Sequence, residues 1–508
     1  MIRAFPGKNP AKLTVSGPRV KFLLSPYPGL TMAGRVSLFA LLAALLLGCS
    51  ESGDSANSGT MPTSNPETES QSMNESPAVQ IVNPFLTESP LYLNYPQFDL
   101  IREEHYLPAF RQGMTEQLAE IAVITGQSAE PSFDNTIVAL ELSGQLLNRV
   151  SRVFFSMASA HTNDEIRALQ QELAPELSAH QDAILLNREL FARVDSLYQA
   201  REELGLDGES VRLVERYHTD FIRAGAALTP EQQDQMRSLN AEIAVLQTEF
   251  SQNVLSEVNE QAIVVDSREE LTGLNESMIE AARGEAEKRG LPGKFVIPLL
   301  NTSGQPSLSS LQNRALRERI HKTSLARGSR GGEYDNREVL SSVLRLRAER
   351  AQLLGYDNHA QFILENQTAQ TVDAVNQRLQ ELTAPAVANA RREASDLQQM
   401  VYDAEEDFQL AAWDWSFYTE KLRAARYDFD ASQLRPYLEL DNVLQRGLFF
   451  ASEQLYGISF EERFDLPVYQ EDVRVFEVFD SVGTTLSLFI ADFYARPTKR
   501  GGAWMNSY

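Results

Sequence analysis

The 508-residue sequence contains a single cysteine, Cys49, and this scarcity excludes several kinds of chemistry. One cysteine cannot form a disulfide within the chain or supply a metal site with several thiolates. No cysteine nucleophile is available after residue 49. If a lipid is attached to Cys49, the folded part has no free thiol, which suits an oxidising compartment.

Histidine is also scarce, and its spacing excludes a common metal motif. The closest pair among the six histidines, His161 and His180, is 19 residues apart, so no helix presents two imidazoles at i and i+4. No His-Glu-x-x-His occurs, and we interpret each histidine as a surface or core residue. The sequence therefore predicts no metal ligand and no catalytic residue within residues 1–508.

Other catalytic signatures are missing as well. The G-x-S-x-G turn of serine hydrolases does not occur, and Gly293-Lys294 lacks the remaining residues of a phosphate-binding loop. A glycosidase with paired carboxylates stays open, because 70 acidic residues offer many pairs and none stands out. A charged helix face is the simpler interpretation of those acids.

Positive charge is in short supply. The net charge is −24, so a nucleic-acid partner is not expected. The distribution is uneven, since residues 1–49 carry six basic residues and no acidic ones. The rest of the chain is therefore strongly acidic, which favours solubility and disfavours acidic ligands.

Long apolar runs are absent except for residues 36–48. This run of 13 residues is too short to span a hydrocarbon core of about 30 Å. Arg35 precedes it and Gly48-Cys49 ends it, which is the layout of a secretory signal. Residues 46–49 resemble a bacterial lipobox, and Met32 is a more natural start than Met1. We predict a signal peptide over residues 1–49 and lipidation of Cys49.

These features predict a periplasm-facing lipoprotein that contacts the membrane through its lipid anchor only. Ser50 directly after Cys49 favours the outer membrane. The alternative interpretation is a buried cysteine after an ordinary hydrophobic helix. Residues 50–80 are rich in Ser, Gly, Asn, Pro and Glu, and they predict a disordered acidic tether.

Residues 81–508 predict one mainly helical body. Thr229-Pro230-Glu231-Gln232 combines a capping box with a proline at the first helical position, and the apolar residues that follow lie on one helix face. Strand signals are limited to residues 294–300, 473–479 and 485–493. Further helices are predicted at 105–125, 135–159, 164–180, 188–204, 210–224, 308–326, 336–354 and 372–402.

One aromatic-rich stretch allows two interpretations. Trp413, Trp415, Phe417 and Tyr418 lie around Asp414. They fit a packing seam between helices, and they also fit the lining of a ligand cleft. The sequence favours packing.

Several stretches, taken in order, carry a resemblance to a known family. They are residues 294–311, the run 314–359 that ends in Leu354-Gly355-Tyr356, the run 410–423 with Trp413-Asp414, the run 463–469 (RFDLPVY), and the end of the chain with Asp492, Arg496, Lys499 and Gly501-Gly502-Ala503-Trp504. Together they resemble the thimet oligopeptidase/oligopeptidase A family of zinc metallopeptidases. RFDLPVY and GGAWM are similar to its peptidyl-dipeptidase branch.

The resemblance implies the N-terminal helical part of a two-lobed, prolate, mainly α zinc-peptidase body with a short β-hairpin near the C-terminal end. It also implies an oligopeptide substrate, a monomer and, in the full-length family member, a catalytic zinc on a His-Glu-x-x-His helix after the hairpin. The sequence given stops before such a helix. We therefore expect a truncated peptidase domain over 81–508 that binds no zinc and is inactive alone.

Two hypotheses follow. The chain is a portion of a lipid-anchored peptidyl-dipeptidase, or it is a non-catalytic lipoprotein that binds peptides or a partner. Under the first hypothesis, four residues are candidates for contact with extended substrate backbone, because glycines permit close approach. They are Gly501, Gly502, Ala503 and Trp504. The alternative is that Gly501-Gly502 simply turns the chain.

The first hypothesis also predicts bare apolar surface. Helices that follow the hairpin in the family would cover part of it. We expect Leu486, Leu488, Ile490 and Phe493 to be left exposed, and we expect residues 440–508 to be poorly folded or prone to aggregate.

Overall fold

The structure is a computed structural model. It describes residues 83–300, 304–427 and 431–508. The predicted signal peptide, Cys49 and the predicted tether at 50–80 lie outside the described residues. Within the described ranges, no helix combines the length and apolar character that a bilayer span requires.

The chain is mainly helical, as the sequence predicts. Six α-helices open the described part, and their apolar faces form two adjoining cores. Phe110 and Phe154 contribute to the first core and are completely buried. The helices are α1 (Tyr106–Gly126), α2 (Ala139–Leu142), α3 (Gln145–Ala160), α4 (Asp164–Leu185), α5 (Arg188–Ala200) and α6 (Gly208–Ala224).

The prediction of one helix over 135–159 is wrong. A π-helical segment, Phe133–Val138, leads into α2, and the chain then breaks at Gly144 before α3. Gly144 has φ of +71°, and the side chain of Gln117 on α1 lies 2.5 Å from the position that a Cβ would take. Glu120 accepts a hydrogen bond from the Gly144 amide at 2.7 Å. Contacts from α1 therefore fix a break that local propensity does not reveal.

The longest helix of the N-terminal half, α7 (Pro230–Glu260), begins where the capping box predicts. The Thr229 hydroxyl accepts from the Gln232 amide at 3.3 Å, and the Gln232 side chain accepts from the Thr229 amide at 3.1 Å. Leu239 and Ile243 on α7 pack against Leu346 of α10 (Arg337–Leu353). The predicted capping box and apolar face are both confirmed.

A small layer follows α7. Strand β1 (Ile263–Val265) pairs antiparallel with β2 (Phe295–Ile297), and both pack with α8 (Glu276–Lys288) and α9 (Arg314–Leu325). Strand β2 confirms part of the predicted strand at 294–300, but β1 was not predicted. The helix predicted from 308 begins only at Arg314, because Asn313 caps its first turn.

Helices α11 (His359–Leu364), α12 (Val372–Asp403) and α13 (Trp415–Tyr427) come next. The predicted helix at 372–402 is confirmed by α12. A 3₁₀ segment at Ala431–Tyr437 leads to an almost continuous helix. It consists of α14 (Leu440–Val443), a π-helical segment (Leu444–Phe449) and α15 (Phe450–Tyr456).

The chain then forms a three-stranded antiparallel sheet. The strands are β3 (Ser459–Arg463), β4 (Arg474–Phe479) and β5 (Thr485–Ala491), in the order β3-β4-β5. The predicted hairpin is β4–β5, whereas β3 was not predicted. Of the four apolar residues expected to be bare, Leu486 and Phe493 are 54% and 45% exposed. Leu488 and Ile490 instead pack beside Leu466.

Candidate functional site

The hairpin turn is held by one carboxylate. Asp480 Oδ1 accepts hydrogen bonds from the amides of Val482 and Thr484 at 2.9 and 2.8 Å. Gly483 has φ of +86°, a conformation that glycine adopts without steric cost. The turn therefore fixes the register of β4 and β5 and sets where the chain leaves β5.

A mostly buried ionic cluster lies directly after β5. Asp492 accepts hydrogen bonds from Arg496 at 2.6 and 2.9 Å and from the Tyr469 hydroxyl at 2.9 Å. The ammonium of Lys499 lies 2.9 Å from Asp492 Oδ1. The charged side chains of Asp492, Arg496 and Lys499 are 10–13% exposed. We call these four residues the Asp492 cluster.

The cluster has a clear electrostatic signature. Burial alone would raise the pKa of Asp492, but the hydrogen bonds from Arg496, Lys499 and Tyr469 outweigh burial and lower it to about 2. Burial, together with the nearby Tyr508 and Asp492, raises the pKa of the Tyr469 phenol. The carboxylate therefore stays charged and the phenol stays protonated near neutral pH, so Tyr469 remains a hydrogen-bond donor.

The segment after the cluster is docked on the N-terminal helices. Arg496 donates to the carbonyl of Ala160 at 2.5 Å, and the Arg500 amide donates to the carbonyl of Ser159 at 2.9 Å. The Thr162 amide donates to the carbonyl of Thr498 at 2.9 Å. These bonds join segments more than 330 residues apart in sequence. The bonds from Arg496 and Arg500 use carbonyls at the C-terminal end of α3, where helices have unsatisfied acceptors.

Tyr508 extends this docking. Its hydroxyl lies 2.6 Å from the Ser156 hydroxyl, and Arg152 donates to its carbonyl at 3.1 Å. Its ring packs edge-on against Phe98. Residues 492–508 thus form a strap that crosses the N-terminal helices, and we call it the C-terminal strap.

The four candidate cleft residues lie in this strap. Gly501, Gly502 and Ala503 are exposed, and Trp504 is half-buried beneath the guanidinium of Arg500 at 5.4 Å. Gly502 has φ of +95°, so it turns the chain. A Cβ on Gly501 would lie 2.8 Å from the carbonyl oxygen of Leu300. The close approach at Gly501 is therefore to the protein's own backbone, which supports the turn interpretation; the cleft role stays a prediction.

Replacing Gly501 with alanine is expected to destabilise the strap by about 1–3 kcal/mol, since the new Cβ would overlap a backbone atom. Urea denaturation and limited proteolysis of the strap would measure the effect. Gly284 is the matched control, because a Cβ there meets nothing within 4 Å and helix α8 would gain propensity. Unchanged stability and proteolysis for Gly501→Ala would contradict the contact with Leu300.

The aromatic-rich stretch is a packing seam. Phe417 and Tyr418 pack with Leu397 and Val401 of α12. The guanidinium of Arg317 lies 4.2 Å from the Phe417 ring centroid. This confirms the packing interpretation that the sequence favours.

At the centre of this seam is a buried carboxylate. Asp414 is fully buried and accepts hydrogen bonds from Arg314 and Arg317, each with a closest distance of 2.8 Å. Burial would raise the pKa of Asp414, but the two arginines lower it. In the sequence, Asp414 stood out only as part of the aromatic-rich stretch and of a family-like run. The spacing of Arg314 and Arg317, one helical turn apart, could have predicted that both arginines bind the same carboxylate.

The histidines stand in separate environments. His180 lies within hydrogen-bonding distance of Gln117 at 2.7 Å, and burial lowers its pKa to about 4. His218 stacks on Tyr198 with centroids 3.8 Å apart. His161 faces Tyr469 beside the Asp492 cluster. Across residues 83–300, 304–427 and 431–508, no three His, Cys, Asp or Glu side chains come together in a way that would hold a metal ion.

The strap and the seam both lie in a region that matches a known protein family. The sequence model of peptidase family M3 matches residues 307–508, which include Asp414 and the Asp492 cluster. A dipeptidyl carboxypeptidase from Escherichia coli (strain K12) is 43% identical over 427 residues, which cover 84% of this chain. The chain belongs to peptidase family M3.

Within the M3 family, the similarity favours one branch. The dipeptidyl carboxypeptidase of Salmonella typhimurium is 41% identical over 84% of this chain and 63% of its own length, whereas oligopeptidase A from E. coli is 29% identical over 84% and 62%. This supports the peptidyl-dipeptidase branch. The M3 chain spans 63% of the length of the E. coli dipeptidyl carboxypeptidase.

M3 peptidases are in general zinc enzymes. The described residues of this M3 chain do not fit a zinc site, because they lack a cluster of suitable ligands. The Asp492 cluster also does not offer a zinc ligand, because its one carboxylate already binds the cations of Arg496 and Lys499 and the Tyr469 hydroxyl. Its geometry is that of a structural anchor for the strap.

Proposed function

We propose that this chain is the N-terminal portion of a zinc-dependent peptidyl-dipeptidase that hydrolyses short peptides. The observation that carries the proposal is the 43% identity to a dipeptidyl carboxypeptidase over 84% of the chain. In this proposal zinc supplies the Lewis acid that activates water. The described residues support the peptide-binding body and do not hold the metal, so this chain alone is proposed to be inactive.

The substrate-binding part of the proposal concerns β5 and the strap. Strand β5 lies at one edge of the sheet, with β4 on its other side. An edge strand offers backbone donors and acceptors to an extended peptide. Gly501, Gly502, Ala503 and Trp504 follow β5, and three of them are exposed. We place the peptide's backbone along this edge.

A chimera tests the proposed activity. This chain would be extended after Tyr508 with the part of the E. coli relative that follows the aligned region. We expect zinc-dependent release of dipeptides from a short peptide by the chimera, abolished by a chelator and absent from the unextended chain. Trp504→Phe in the chimera should raise KM more than it lowers kcat.

Two results would overturn this proposal. Stoichiometric zinc and turnover from the unextended chain would contradict its inactivity. A folded chimera that binds zinc and a peptide without cleaving it would favour the alternative, a peptide- or partner-binding lipoprotein. The Trp413→Phe chimera is the matched control for Trp504, because Trp413 belongs to the packing seam and contacts Arg314.

The proposed lipid anchor has its own test. Expression of the full chain in bacteria with a labelled fatty acid should label the protein, and Cys49→Ser should remove the label. Cell fractionation would then place the labelled chain in the outer membrane, facing the periplasm. An unlabelled chain cleaved elsewhere than before Cys49 would contradict the anchor.

A further inference from the structure

Helix α12 has an apolar stripe that is covered at one end only. The stripe recurs every three or four residues, which places its members on one helix face. At the C-terminal end, Leu397 and Val401 are buried against α13. At the N-terminal end, Leu379 and Leu382 on the same face are 56% and 50% exposed. All residues from 376 to 393 are exposed.

Such a stretch is poorly supported on its own. Eighteen helical residues with no buried side chain depend on intrinsic propensity and on side-chain pairs within the helix, such as Gln377 with Glu381. Isolated helices of this length are marginal in water. Pro385 lies inside the helix and weakens it further. An apolar stripe that continues beyond its packed end indicates a surface built to be covered.

A second bare surface lies at residues 434–456, which we call the apolar segment. Its inner side is packed, with Leu444 and Phe449 buried against Phe476 of β4. Its outer side should be polar if it faced only water. Instead it exposes large apolar side chains: Leu434 (41%), Tyr437 (71%), Leu438 (65%), Val443 (41%), Leu448 (45%), Phe450 (57%), Leu455 (74%) and Tyr456 (75%).

The apolar segment carries little net charge. It contains two arginines and three acidic residues. Arg435 contacts Ser277, and Asp441 pairs with Arg474, so part of this charge is used within the chain. A nearly neutral, apolar surface fits another apolar protein surface rather than a charged ligand.

The bare surface is concentrated in the region that matches the family. Among the described residues, twenty-three exposed large apolar side chains lie in 307–508 and ten lie in 83–306. The two stretches are of similar length, so the difference is not one of size. Soluble monomers rarely expose apolar patches above about 300–600 Å².

The comparisons indicate what would cover this surface. The chain spans 63% of the length of the E. coli relative, so more than a third of that relative has no counterpart within these residues. That extra polypeptide is available to pack on the body that both proteins share. Among the described residues, the N-terminal half of α12 and the apolar segment both expose several large apolar side chains.

We propose that these two surfaces are the docking site for the polypeptide that M3 relatives carry beyond the region aligned with this chain. The occupant is defined by homology, and its chemistry is an apolar protein surface. The proposal rests on the proposed function, because the same polypeptide would bring the zinc ligands.

Hydrogen exchange of backbone amides tests the docking site. The unextended chain and the chimera would be compared peptide by peptide. We expect amides in 376–393 and 440–456 to exchange at least about tenfold more slowly in the chimera, because covering a helix suppresses local opening. Amides of α8 should exchange equally in both proteins.

Paired variants make the test specific. Leu455→Ser with Tyr456→Ser should remove the protection and lower the chimera's peptidase activity at least about tenfold. The matched control is Val123→Ser on α1, since Val123 is 74% exposed, as is Leu455. The control should keep both protection and activity. An unchanged melting profile for the unextended variant would show that the substitutions do not unfold the body.

The outcomes separate the two proposals. Protection of both surfaces in a chimera that does not cleave peptides would support the docking site and overturn the proposed function. Activity without protection, or activity unaffected by the paired variants, would overturn the docking site and leave the function. Protection in the unextended chain that rises with its concentration, with dimers in sedimentation, would mean that a second copy is the occupant and would overturn the proposal.

Discussion

Replacing Asp414 with alanine is expected to lower the free energy of unfolding by about 3–5 kcal/mol. The carboxylate is fully buried, and the side chain of Arg317 is 2% exposed. Removing the carboxylate leaves the Arg317 charge buried. Its remaining acceptors within the described part of the chain are the carbonyls of Leu311 and Gln312, at 2.8 and 3.0 Å. Those dipoles cannot replace a full negative charge.

The physical reason is the asymmetry between making and breaking a buried ion pair. An intact buried pair contributes little net stability, since desolvation offsets attraction. One partner without the other keeps the desolvation cost and loses the attraction. Asp414 also joins two helices, because Arg314 and Arg317 lie on α9 and Asp414 directly precedes α13. The loss should therefore loosen the contact between α9 and α13.

Urea denaturation of the full chain would measure the effect. Asp396→Ala is the matched control, because Asp396 pairs with Arg426 at 2.5 Å but both side chains are about half exposed. Exposed pairs contribute about 0.2–1 kcal/mol. A loss for Asp414→Ala no larger than that of the control would contradict the role assigned to the buried carboxylate.

The sequence predicted the long helices well, because their signals are local. Helices α7 and α12 each carry a cap and an apolar face within their own residues. The break at Gly144 was missed because it depends on Gln117 from another helix. Strands β1 and β3 were missed because they are only three and five residues long and are defined by pairing with another segment of the chain.

The candidate site was predicted in part. The resemblance drew attention to Asp492, Arg496 and Lys499, but their spacing gives no sign that they form one buried cluster. That cluster depends on Tyr469 and on the carbonyls of α3, which are remote in sequence. Gly501 was marked for close approach of a substrate backbone, which stays a prediction; the close approach in the structure is to the chain itself. The carbonyl of Leu300, which lies close to Gly501, is about 200 residues away in sequence, so local sequence cannot predict this contact.

The second large effect is expected at Asp492, which anchors the C-terminal strap. Asp492→Asn should lower the free energy of unfolding by about 2 kcal/mol near neutral pH. The fold lowers the pKa of Asp492 from 3.8 to about 2, and each pKa unit corresponds to about 1.36 kcal/mol. The amide keeps one acceptor oxygen but loses the charge that Arg496 and Lys499 share. Proteolysis of residues 492–508 should become faster.

The stabilisation by Asp492 should depend on pH in one direction only. A carboxylate whose pKa is lower in the folded state stabilises the fold fully above its unfolded pKa of 3.8. That stabilisation is lost as the pH falls from about 4 towards about 2. The difference in unfolding free energy between the parent chain and Asp492→Asn should therefore be constant from pH 7 to about 5 and shrink below about 4.

Urea denaturation at several pH values would measure this difference, with Asp234→Asn on α7 as the control. Asp234 pairs with Arg237, but its side chain is 78% exposed, so its replacement should have little effect at any pH. Other carboxylates titrate equally in both proteins and cancel in the comparison. A difference that does not shrink with acid would mean that Asp492 acts through packing alone. The strap would then be held by the backbone hydrogen bonds of Arg500 and Thr162 and not by charge.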